Sequence, residues 1–330
     1  MAEMKPIERI QAVLRGEKPD RPPVGFWHHF PPDAMCGRSA VDAHLEHLNR
    51  YDLDFLKIMN DNPYPTQLDV RRAADLQDIP ILSGTEEGFT AQLDLIETLA
   101  DELEGRVPLV TTIFSSWSVL RKIVTPPTTD GHLPPSLDAQ PAPPDVRLSE
   151  LLTEDRTLVG MALEAISQSL ANFVRHCLKA GADGIFLSVR EDRVNNDANG
   201  PNTYTELARD GDRQILSVAA EGTMNMLHVC GAARNLETFA AYPIHVINWA
   251  DRAAGPAIKD VIRRIEPVVC AGVDNLKTLP EGTCAQVTQE VLDALQQAGD
   301  RPMIVSPGCT YDPETVPPEN LEAMAQAVRG

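Results

Sequence analysis

Apolar positions in this chain fall into short runs of four to six residues, set between longer stretches in which they recur every three or four positions. The short runs predict strands at Val24–Trp27, Phe55–Met59, Leu109–Phe114, Ile185–Val189, Met224–His228, Val246–Trp249, Val268–Val273 and Met303–Ser306. The stretches between them predict helices at Ser39–Tyr51, Ile96–Glu104, Leu158–Ala180, Tyr204–Ala220, Ala232–Ala241, Pro256–Ile265 and Cys284–Ala298. A helix over Pro6–Arg15, with Ile7, Ile10, Val13 and Leu14 on one side, precedes the first run, and another over Pro318–Val328 follows the last. Strands alternating with helices imply parallel pairing, and eight such units imply an α/β fold of the (β/α)8 TIM barrel type, one domain over residues 1–330. A doubly wound sheet is the alternative, but no GxGxxG follows any predicted strand.

The pattern breaks once. Residues 125–146 contain Pro126, Pro127, Pro134, Pro135, Pro141, Pro143 and Pro144, too many for a helix or a central strand. The segment follows the third predicted strand, so in a barrel it lies over the C-terminal rim. It is read as a lid or an oligomer arm, with a plain surface insertion as the simpler alternative.

Composition adds mostly exclusions. Hydrophobic content is 43% and charged content 23%, ordinary for a chain that buries a full core. A net charge of −19 argues against nucleic acid and against an anionic membrane surface as partners. The opening Met1–Pro6 lacks the apolar stretch of a signal peptide, and six scattered cysteines form no dense framework. A cytoplasmic enzyme with reduced thiols is expected, with a homodimer as the default assembly.

The candidate chemistry sits at strand ends. His228 and Cys230 are two apart at the end of an apolar run, so on an extended strand they project from the same face. Cys309, in Ser306–Pro307–Gly308–Cys309, follows the last strand. A lone His-x-Cys also suits a buried, space-filling cysteine. Strand ends on both pieces and a glycine beside each cysteine favour metal. One imidazole and two thiolates make a three-ligand Zn2+ site with the fourth position open. Asp251, at the next strand end, is a candidate fourth ligand or the group that orients His228. Two thiolates leave zinc formally neutral but still Lewis acidic, so a thiol entering the open position would lose its proton and become a nucleophile. Other strand-end residues would share the same mouth. Among them Asp61, His28 and His29 are candidate acid/base or positioning groups, and Arg190 is a candidate clamp for a carboxylate or sulfonate.

Several stretches resemble the superfamily of uroporphyrinogen decarboxylase and cobalamin-independent methionine synthase. Arg15–Val24 resembles its first helix-to-strand passage, Ala180–Gly184 its fourth-strand entry, and Ser306–Cys309 with Pro317–Leu321 its C-terminal signature. The resemblance implies a barrel with the site at the C-terminal mouth. Of four features implied for porphyrin decarboxylation, the Asp61 position matches. The paired arginines are replaced by Phe26–Phe30, the tyrosine region reads Trp117–Arg121, and Cys309 stands in place of the histidine. The zinc-dependent branch that transfers methyl groups from a corrinoid protein to a thiol carries the His-x-Cys and Cys pattern of His228, Cys230 and Cys309. That branch implies zinc, and a methylcobamide donor on a partner protein. The competing expectation is a metal-independent decarboxylase or lyase acting on a small carboxylated substrate, using Asp61 with His28 or His29.

Overall fold

The first predicted strand does not form. In the computed structural model, which describes residues 3–66, 68–125 and 145–329, seven parallel strands lie in sequence order. They are β1 (Leu56–Ile58), β2 (Leu109–Phe114), β3 (Gly184–Val189), β4 (Met226–Val229), β5 (Val246–Trp249), β6 (Val268–Val273) and β7 (Ile304–Pro307). Each pairs with the next. The expected strand Val24–Trp27 is reduced to isolated contacts. Gly25 N–H donates to Val305 O, Val305 N–H to Pro23 O and Asp54 N–H to Val24 O. Pro22 and Pro23 have no N–H to give a ladder, so this segment joins β7 to the approach to β1 without becoming a strand itself.

Parallel strands covered by helices are buried on both faces, which is why they read as continuous apolar runs rather than alternations. One face sends Leu187, Leu227, Ile247, Val269 and Val305 into the main core against the helices. The other face forms a separate apolar cluster inside the curled sheet, from Phe55, Val110, Phe186, Met226, Val246, Val268 and Ile304, with Ile10 and Val13 of the helix Pro6–Leu14. Side chains on a strand repeat every second residue. Two positions beyond each of these apolar residues the inward face therefore carries Lys57, Thr112, Ser188, His228, Asn248, Cys270 and Ser306. This polar layer is where the chemistry collects.

The helices largely follow the expected pattern. Glu87–Leu103 begins earlier than the spacing predicts, and Leu236–Ala240 and Ile258–Val261 are shorter. Tyr204–Ala208 forms a π turn ahead of the helix Arg209–Ala219. Two helices, Ser116–Val124 and Val146–Glu154, flank the proline-rich stretch and were not expected. Most of that stretch, residues 126–144, lies outside the described residues. Among the described residues no helix is long and apolar enough to cross a membrane.

The N-terminal helix is fastened by buried charge. Arg9 pairs with both Asp20 and Asp54, and Asp54 also takes Arg21 and the Val24 N–H. Arg9 and Asp54 are fully buried.

Candidate metal centre

His228 is held by its neighbour on the sheet. β4 pairs with β5 so that His228 stands beside Asn248. The Asn248 amide nitrogen donates to Cys270 O at 2.7 Å and to Ser306 Oγ and Pro307 O at 3.1 Å. Its oxygen is thereby turned to His228 Nδ1, 2.5 Å away. Because that oxygen can only accept, Nδ1 carries the proton and Nε2 keeps its lone pair. Nε2 faces Cys309 Sγ at 3.3 Å, and Cys309 Sγ lies 3.9 Å from Cys230 Sγ. The Phe186 ring stacks on the imidazole, with centroids 5.4 Å apart.

The donor atoms of His228, Cys230 and Cys309 all lie within 4.8 Å of one another. A tetrahedral zinc with Zn–S near 2.3 Å places two sulfurs about 3.8 Å apart. The observed sulfur separation meets that edge and is far beyond the ~2.05 Å of a disulfide. The residues fit a zinc ion. Without metal, the two thiols share charge: the hydrogen bond from Cys309 holds Cys230 well below the usual thiol range against the opposing effect of burial, with help from His228 and Arg190. Cys309, the partner that keeps the proton, is pushed well above it.

Two glycines permit this approach. Gly231 has φ +75°, and a Cβ there would fall 2.1 Å from Asp192 Oδ2. At Gly308 a Cβ would lie 2.5 Å from Ala250 Cα, so the chain could not enter the turn that presents Cys309.

The cluster opens into a cavity of about 700 Å3 whose wall includes His29, Lys57, Phe114, Arg121, Phe186 and Arg190. Arg190 is there as expected, but its guanidinium is already forked onto Asp192, with Nε and Nη2 at 3.1 and 2.9 Å. His29 stands at the wall and its Nδ1 meets Asp61 Oδ1 at 2.7 Å. Burial alone would push the Asp61 carboxyl up, but the His29 hydrogen bond and the charges of His29, Lys57 and Lys122 hold it below the usual range.

His28 is not brought to this cavity. Its Nδ1 meets His29 O, and its ring packs among Phe30, His47 and Tyr311, beside a smaller separate pocket. Adjacent residues on extended backbone point apart, and the pair obeys that rule. Asp251 also stays outside the cluster. Its Oδ1 accepts from Gly272 N–H at 3.0 Å, and burial raises its carboxyl to about 6. The role of orienting His228 belongs to Asn248, three residues earlier and on the inward face of β5.

The family model for uroporphyrinogen decarboxylase (URO-D) matches residues 140–330, well over half of the chain. The chain belongs to the uroporphyrinogen decarboxylase family. None of the curated proteins matches it. Among solved structures, this family member is similar to a methyltransferase from Methanosarcina mazei, at 17% identity with 99% of each chain covered and a TM-score of 0.78. It is also similar to a putative vitamin-B12 independent methionine synthase from Listeria monocytogenes, at 14% identity, covering 88% of this chain and 84% of that one, with a TM-score of 0.50. At these identities the likeness is one of fold. Within the family fold, two positions of the polar layer around the cluster escaped the sequence reading. Lys57 carried a legible signal, a charge between Leu56 and Ile58 in an otherwise apolar run. Asn248 had only its parity with Val246 to mark it as inward-facing.

Proposed function

We propose that this protein is a zinc-dependent methyltransferase that moves a methyl group from a methylcobamide, carried by a partner corrinoid protein, to a thiol acceptor. The observation that carries the reading is the convergence of His228 Nε2, Cys230 Sγ and Cys309 Sγ within 4.8 Å at the edge of a cavity. The Methanosarcina structure with the same fold is named a methyltransferase, which agrees with it. On this reading the fold is a (β/α)8 barrel whose eighth stave is the bridged segment Pro23–Trp27, with the site at its C-terminal mouth.

His228, Cys230 and Cys309 would hold the metal. When bound there, zinc supplies a Lewis-acidic centre that favours the deprotonated form of a thiol near neutral pH. The protein's own part is positional and electrostatic. Asn248 fixes the imidazole tautomer, and Phe186 braces its face. The apolar wall around Phe114 and Phe186 limits water near the reacting sulfur, which strengthens every charge interaction there. His29, anchored by Asp61 and lining the same cavity, is assigned to accept the proton released from the acceptor.

The test is zinc per chain in reduced, freshly purified protein, beside Cys230→Ser and Cys309→Ser, followed by thiol methylation from methylcobalamin. About one zinc in the wild type, little in either variant and parallel loss of methyl transfer are expected. A folded, zinc-free wild type that methylates no thiol overturns the reading.

The His29–Asp61 contact favours a second reading, a metal-independent decarboxylase or lyase acting on a small carboxylate. Turnover that survives Cys309→Ser but is lost in Asp61→Asn would select it.

A further inference from the structure

Lys57 is a buried cation whose ammonium is set against a thioether and two aromatic rings. Only 5% of the residue is exposed, and among the described residues no carboxylate is in ion-pair contact with it. Its Nζ rests 2.8 Å from Met59 Sδ, and 4.5 and 5.6 Å from the ring centroids of Phe186 and Trp27. A thioether is a weak acceptor, and aromatic faces return only part of the hydration an ammonium loses on burial. Retaining such a group is costly unless something else satisfies it.

The cavity says what that is. Lys57, Arg121 and Arg190 line its wall, while its two carboxylates, Asp312 and Glu314, are exposed. Arg190 is spent on Asp192 and Arg121 faces Asp145 at 3.8 Å, so Lys57 is the wall cation with no carboxylate in ion-pair contact among the described residues. In a chain of net charge −19, a pocket with a cationic inner wall is selective for negative charge. Phe114 and Phe186 add apolar surface beside the ammonium.

We propose that Lys57 is the anion-binding residue of this cavity, and that it receives the carboxylate or sulfonate of a ligand whose apolar body lies against Phe114 and Phe186. This assumes that the cavity is the reaction site of the proposed function, but not that a metal is bound. Burial draws the Lys57 ammonium down to about 7 while Asp61 and Cys309 pull it upward. His28 and His44 also feel its charge. An arriving anion restores the charged form, so binding above neutral pH takes up a proton.

The experiment is calorimetric titration of the purified full chain at pH 8 with naphthalene-2-carboxylate and with naphthalene-2-carboxamide, its neutral counterpart. Two buffers of different protonation enthalpy report the proton taken up. The wild type is expected to bind the carboxylate about tenfold or more tighter than the amide, with net proton uptake. Lys57→Met loses the preference. Lys57→Arg keeps it but loses the uptake, because a guanidinium stays charged. Lys179→Met, an exposed lysine outside the cavity wall, retains both. Equal affinity for the two probes, no binding of the carboxylate, or a preference unchanged in Lys57→Met overturns the proposal. So does uptake that persists in Lys57→Arg, an arm that decides the question even if Lys57→Met does not fold. The probes carry neither thiol nor methyl donor, so failure here leaves the methyltransferase reading standing. Conversely, a zinc-free protein that still prefers the carboxylate leaves this proposal standing.

Discussion

Asn248 Oδ1 sits 2.5 Å from His228 Nδ1, and three hydrogen bonds from the other end of the same amide fix which way it points. One side chain thus sets the tautomer and the ring angle of the candidate metal ligand. Removing it leaves the imidazole free to rotate and to place its proton on the wrong nitrogen. Asn248→Ala is expected to weaken zinc binding by about 10–100-fold without abolishing it, as measured by competition with a chelator. Unchanged affinity would mean that the ring is held by Phe186 stacking alone.

The His29–Asp61 pair makes a prediction at the cavity mouth. Asp61→Asn removes the charge that holds His29 while leaving His228, Cys230 and Cys309 untouched. Zinc per chain should stay at the wild-type value, while kcat/KM falls by about 100-fold or more if His29 manages a proton. A loss of zinc in this variant would show instead that the mouth supports the metal cluster.

The buried charges at the N-terminus predict a stability effect. Asp54 accepts from Arg9, from Arg21 and from the Val24 backbone. Asp54→Ala strands a buried guanidinium, and breaking a pair of this kind typically costs about 3–5 kcal/mol. Denaturant unfolding should show a lower midpoint of that order. A change below about 1 kcal/mol would mean that Asp20 alone satisfies Arg9.

Asp212 predicts a pH dependence. Its Oδ2 accepts from Tyr204 OH, which also meets Tyr242 OH, and its Oδ1 has no partner. Burial raises the carboxyl to about 7, outweighing the Tyr204 hydrogen bond. In the unfolded chain the same group titrates near 3.9. Between those values the folded state holds a proton that the unfolded state has lost, so stability falls as pH rises through that window. The difference amounts to at most about 4 kcal/mol. Asp212→Asn should therefore raise Tm at pH 8 by more than at pH 4.5. Asp251, raised to about 6 by burial, acts in the same direction and leaves part of the slope. A variant with an unchanged pH profile would place the titration elsewhere.

Local sequence determined seven of the eight expected strands, most helices and the three metal-ligand candidates. The reason is physical: strand parity is a property of consecutive residues, so His228 and Cys230 share a face wherever that strand lies. The pairing of Cys309 with them needed only that both strands end on the same rim. What local pattern could not settle depends on contacts between distant segments. Val24–Trp27 looks like a strand, but Pro22 and Pro23 leave it too few donors, and only its position between β7 and the start of β1 shows the bridges it makes. Spacing offered Asp251 as the partner that orients His228. The register of β4 on β5 selects Asn248, while Asp251 turns to Gly272. Lys57 reads as one charge in an apolar run, and its isolation among Met59, Phe186 and Trp27 exists only once the sheet has curled. Period and residue type are carried by neighbours in the chain. Which polar groups meet, and which are left without a counter-charge, is decided by strand register and by how the sheet closes, because only those bring residues far apart in sequence within a few ångströms.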